Sequence, residues 1–110
     1  SGQQEMSAPQ QAAAPVQPAV DPAALAEVRD RLRLLSARSN AASRTLKTLE
    51  ASQRQSGLGL RGDISAAWDR TNDALDEAKA AVQGSDVAGA KRALDNAERD
   101  LDRLDKFLGR

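Results

Sequence analysis

The chain has 110 residues, enough for one domain rather than two. Its 16 basic residues equal its 16 acidic ones, so there is no whole-molecule field to recruit nucleic acid or an anionic membrane. It contains no Cys and no His, which removes disulfides, thiolate chemistry, zinc fingers and the commonest general base.

Ala, Leu, Arg and the other helix formers dominate, whereas Tyr is absent and Trp68, Phe107 and Ile64 each stand alone in their residue type. A sheet fills its pleated face with aromatic and β-branched side chains, so the composition predicts an all-α fold. No apolar run approaches the roughly 20 residues needed to span a bilayer.

Residues 1–20 differ from the rest. They hold three of the four prolines, a cluster of Gln and one charge, Glu5. Such a stretch buries too little apolar surface to offset its ordering entropy, so it is expected to be a disordered tether. Residues 21–110 are expected to form the folded domain.

Helix 1 is predicted over 21–56. Asp21 can accept from an amide of the first turn, and Pro22 gives up an N–H that had no partner. Leu25, Val28, Leu32, Leu35, Ser39, Ala42, Leu46, Leu49, Gln53 and Ser56 then follow at alternating spacings of three and four. They make one face, weakened by polar residues in its middle and at its end. Gly57 supplies the stop.

Helix 2 is predicted over 63–83, with Asp63 as its N-cap. Its stripe is Ile64, Trp68, Thr71, Leu75, Ala78 and Val82, and Gly84 ends it. Ser85 or Asp86 caps helix 3, predicted over 86–108, with the most regular stripe of all: Val87, Ala90, Leu94, Ala97, Leu101, Leu104 and Leu108. Gly109 closes it.

Three capped helices with short connections predict an antiparallel three-helix bundle. Helix 1 carries seven basic and four acidic residues, helix 2 two and five, so their net charges are +3 and −3. Lys47 and Arg54 on one edge of helix 1 are expected to oppose Asp69 and Asp76 on helix 2. Ala67, Ala74 and Ala81 leave the other edge of helix 2 small enough for helix 3 to approach closely.

At about 1.5 Å per residue the helices would be roughly 54, 31 and 35 Å long. If helix 1 is straight, the connection through Gly57–Gly62 is expected to place helices 2 and 3 against its C-terminal half. The N-terminal half, rich in Leu, would then project. The alternative is a break near Ser36–Ser43, disfavoured because neither Pro nor Gly lies there. The projecting strip, Leu25, Val28, Leu32, Leu34 and Leu35 with Arg29 and Arg33, is therefore the candidate partner-binding surface.

No other feature rises above structure. Asp69, Asp73, Asp76 and Glu77 share a helical surface, but metal sites in bundles draw Glu-x-x-His pairs from facing helices, and His is absent. Asp95, Glu98, Asp102 and Asp105 form a stripe beside the seam of helix 3, with Asp95/Arg99 and Asp102/Lys106 as expected pairs along the helix. Arg29, Arg31, Arg33 and Arg38 are spread around helix 1 with no aromatic ready to stack on a base, which argues against nucleic acid. Arg61-Gly62-Asp63 matches an integrin-type tripeptide, a signal too short to carry function. No catalytic group, cofactor or metal is expected.

An Ala/Gln/Pro tail ahead of a small helical bundle is similar in layout to bacterial envelope lipoproteins, in which a lipidated Cys directly precedes residues such as Ser1 and Gly2. The resemblance implies a non-enzymatic adaptor in the periplasm or cell envelope, held at a membrane through an N-terminal anchor and binding a protein by helix packing. The alternatives are a cytoplasmic location and a structural module that dimerises through the first half of helix 1.

Overall fold

The computed structural model describes residues 20–59 and 61–109. The expected tether, up to residue 19, lies outside the described residues. Three helices follow in chain order: α1 (Pro22–Gln55), α2 (Gly62–Gln83) and α3 (Val87–Leu108). The fold is an all-α three-helix bundle.

The caps mostly follow the chemistry of their residues. Asp21 accepts from the Ala23 amide at 3.0 Å, and Pro22 occupies the first helical position. α1 runs through Ser36–Ser43 without a break. Past its end Gly57 adopts a left-handed φ of +77°, and Leu58 N–H returns to the Gln53 carbonyl at 2.7 Å. At the head of α3, Asp86 accepts from the Gly89 amide at 2.9 Å.

One cap departs from expectation. Asp63 is not an N-cap: α2 begins at Gly62, with Arg61 at the cap position and no side-chain cap bond. The Arg61 guanidinium takes the Asp63 carboxylate instead, with Nε at 3.1 Å and Nη2 at 2.7 Å. That hydrogen bond holds the exposed Asp63 carboxyl below its ordinary value. Arg61 also lies 5.7 Å from the Phe107 ring centroid, so the linker closes over the end of α3.

At the α2–α3 turn Gly84 caps α2 as expected, and Ser85 after it takes the left-handed conformation, at φ +57°. Asp86 N–H reaches the Ala81 carbonyl at 2.7 Å and Ser85 N–H the Val82 carbonyl at 3.0 Å. This is the glycine-favouring geometry of a helix stop with a serine in the glycine's place.

α2 and α3 make the closest pair. Leu94, Leu101 and Leu104 of α3 are fully buried, and Ile64, Thr71, Leu75, Ala78 and Val82 of α2 are buried with them. Ala67 and Ala74 are buried and Ala81 half-buried, as a close approach requires. Trp68 is half-buried against the core. The buried Thr71 hydroxyl donates to the Ala67 carbonyl at 2.8 Å, so it carries no desolvation debt. Asp100, also buried, accepts from Arg70 at 3.3 Å and from Arg103 at 3.1 Å.

The placement of α1 overturns the length argument. Arg31 reaches Asp95 and Glu98, and Arg38 reaches Asp102 and Asp105, so both arginines pair across the same sequence separations, 64 and 67. A constant separation means that α1 and α3 run parallel and in register. At that offset and about 1.5 Å of rise per residue, α3 lies beside roughly residues 22–43 of α1. The first half of α1 is thus covered. The uncovered part is its C-terminal end, where Leu49, Glu50 and Gln53 are half-buried and Ala51, Ser52, Arg54 and Gln55 exposed.

Chain reach explains the difference. An extended residue spans about 3.3 Å against 1.5 Å in a helix, so a short linker can travel back past several helical residues before α2 starts. Burial sets the direction of slide. Each buried leucine or valine contributes roughly 1.5–3 kcal/mol. The strip of Leu25, Val28, Leu32 and Leu35 offers far more apolar surface than Leu49 alone.

Two outcomes test this architecture. Ser85→Gly should stabilise the domain by about 1 kcal/mol, raising the melting temperature by about 4–8 °C; an unchanged or lower midpoint would exclude the strained serine. Leu101→Asp should unfold the bundle, since an unpaired carboxylate at a fully buried seam costs several kcal/mol against a marginal total. A cooperative far-ultraviolet melt within a few degrees of the parent would contradict it.

Candidate partner-binding surface

The strip expected to project is divided by the fold. Val28 and Leu35 keep 2% and 4% of their accessible surface and belong to the core. Leu25 and Leu32 are half-buried and packed against it. These four do not form a free surface: α2 and α3 already cover them. Replacing them would remove core packing.

Three of the seven candidates stay outside. Leu34 keeps 68% of its accessible surface. Arg29 and Arg33 are exposed, and Arg33 pairs with Asp30 at 2.8 Å. The spacing explains the split, since Leu34 lies about 100° around the helix from Leu35 and falls off the 3-4 stripe.

Leu34 stands in a shallow groove between α1 and α3. Glu27, Val28, Asp30, Arg31 and Leu34 line it from α1, and Lys91 and Asp95 from α3. The groove is apolar at its base and charged along its rim, which suits a helix with one leucine-bearing edge.

The rim is fixed by the ion-pair ladder. Arg31 Nη2 lies 2.7 Å from both Asp95 and Glu98; Arg38 Nη2 lies 3.0 Å from Asp102 and 2.7 Å from Asp105. Partial desolvation opposes the Arg31 charge, but the Asp95 and Glu98 hydrogen bonds outweigh it, and the guanidinium is held above its ordinary value. For Arg38 the Asp105 hydrogen bond dominates over desolvation, with the same result. Neither arginine loses its proton in any ordinary buffer, so the ladder's cationic half is permanent.

The ladder replaces two expected pairings. Asp95 bonds Arg31 rather than Arg99, Asp102 bonds Arg38 rather than Lys106, and Arg99 turns to Asn96. Lys47 and Arg54 make no ion pair with Asp69 or Asp76; Arg54 pairs with Glu50 at 3.4 Å. One sequence signal was available. Arg31 and Arg38 are one heptad apart, as are Asp95 and Asp102, and Glu98 and Asp105. Matching heptads on two helices mark facing edges.

A second groove, between α2 and α3, is lined by Arg70, Asp73, Glu77, Asn96, Arg99 and Asp100 among others. Its central carboxylate, Asp100, is already held by Arg70 and Arg103. Asp69, Asp73, Asp76 and Glu77 are exposed along α2, and among the described residues no group of three or more acidic side chains is placed to hold a metal ion. No helix among the described residues is long and apolar enough to cross a membrane. Comparison with protein-family models, curated proteins and solved structures yields no match for this chain.

The ladder predicts salt-sensitive stability. Arg38→Gln should cost about 1 kcal/mol at low salt, since half-exposed pairs contribute up to ~1 kcal/mol each. The difference from the parent should shrink at about 1 M salt, where the screening length falls to ~3 Å. Arg29→Gln, which removes no ion pair among the described residues, should do nothing. Equal losses for the two variants in chemical denaturation would show that the ladder does not bind α1 to α3.

Proposed function

We propose that this chain is a non-enzymatic helical adaptor that binds a protein partner by helix packing at the α1–α3 groove. The observation that carries this reading is Leu34, a large apolar side chain left 68% accessible in a groove whose neighbouring leucine positions are all occupied by the core. Leu34 contributes little to the fold while exposed, yet it would gain roughly 1.5–3 kcal/mol if a partner covered it. The charged rim of Glu27, Asp30, Arg31, Lys91 and Asp95 would select the partner's orientation by charge complementarity.

The tether composition supports an envelope lipoprotein as the setting. Residues 1–20 carry three prolines, a cluster of Gln and a single charge, the composition on which the likeness to envelope lipoproteins rests. A cytoplasmic adaptor is the alternative, and a Cys directly upstream of Ser1 in the full-length protein decides between them.

Site-specific photocrosslinking from position 27, in the wall of the groove, in the intact cellular protein tests the docking reading. A discrete heterologous or homologous adduct should form, and Leu34→Ser should abolish it while leaving the melting temperature within a few degrees. An adduct pattern unchanged by Leu34→Ser would overturn the assignment of this groove.

A further inference from the structure

The outer face of α1 carries a pattern that fits itself. Around Leu34 lie Glu27 and Asp30 towards the N-terminus, Ala37 and Ala41 in the middle, and Arg44 beyond, at spacings of three and four that keep them on one side of the helix. Glu27, Asp30, Ala37 and Arg44 are exposed and Ala41 is half-buried. Glu27 and Arg44 make no ion pair among the described residues, Asp30 holds Arg33 of its own helix at 2.8 Å with one carboxylate oxygen and can take a second cation on the other, and the neighbouring Arg31 and Arg38 are committed to α3. The face is therefore acidic at one end, basic at the other, and small in between.

We propose that this face docks on the same face of a second copy, with the two α1 helices antiparallel and the twofold axis near Ala37. In that register Leu34 of each chain rests on Ala41 of the partner subunit, and Ala37 meets the partner's Ala37, so that the backbones approach closely. Asp30 then faces Arg44 of the partner subunit, and the pairing repeats across the axis, as an isologous interface requires. A parallel arrangement would place Asp30 against Asp30 and Arg44 against Arg44, and is disfavoured by like-charge repulsion. The inference rests on the docking reading of the Leu34 surface and names its occupant as the chain itself. Two leucines and four alanines bury little area, so the dimer is weak and depends on concentration, as a tethered protein confined to a surface can exploit.

The absence of cysteine makes the test free of background. Ala37→Cys should form a disulfide-linked dimer under mild oxidation at least tenfold faster than Ser52→Cys, which lies on the same face but far from the axis. Sedimentation of the parent should show a mass that rises with concentration. Asp30→Arg should lower the dimer fraction about tenfold, and combining it with Arg44→Asp should restore it, because the swap returns opposite charges to facing positions. A parent that stays monomeric at millimolar concentration overturns the proposal, as does equal cross-linking at positions 37 and 52. If the parent is monomeric but Leu34→Ser still abolishes a heterologous photocrosslink from position 27, self-pairing fails and the docking surface stands. Circular dichroism of each variant confirms that the helices are intact.

Discussion

The parallel register of α1 against α3 is the constraint from which the rest of the molecule follows. It is set by apolar burial, because Val28 and Leu35 must enter the seam that Leu94, Leu101 and Leu104 leave open. The ion pairs of Arg31 and Arg38 then mark that register at every heptad. Burial supplies the larger energy, and the half-exposed charges choose among registers that burial alone would tolerate.

With that register fixed, several features have a single cause. The excess length of α1 falls at its C-terminus, so the linker must run back along the helix before α2 begins. Arg61 then arrives at the end of α3, where it meets both Asp63 and the Phe107 ring. The turn between α2 and α3 must be tight to keep the Ala67 and Ala74 edge against α3, and Ser85 is held in a left-handed conformation to make it so. Leu34 is left outside because the seam takes the positions on either side of its edge.

The division between α1 and the α2–α3 hairpin bears on how the domain works. The hairpin carries the densest packing and the buried Asp100 bridge, whereas the middle of α1 presents Ser36, Ser39 and Ser43 to the interior. Serines bury less apolar surface than leucines, so α1 is the less firmly attached helix. A partner docked at the proposed groove would leave the hairpin undisturbed, and Arg31 on its rim also fastens α1 to α3.

The sequence alone determined the helix count, the faces and most of the caps. These depend on local periodicity, on side chains bonding their own backbone within a turn, as Asp21 and Asp86 do, and on the left-handed freedom of Gly57. The unbroken α1 was legible for the same reason, since nothing in Ser36–Ser43 breaks a helix. Asp63 misled because a nearby arginine, not the local backbone, claimed its carboxylate. The candidate surface was only partly legible: Leu34 was among the residues named, but Val28 and Leu35 belong to the core. Which half of a long helix is covered depends on how far the linker travels and on the sum of burial over all registers, and neither quantity resides in any short segment. Only the tertiary structure could decide it, by setting the α1 leucines against those of α3 and leaving Leu34 outside.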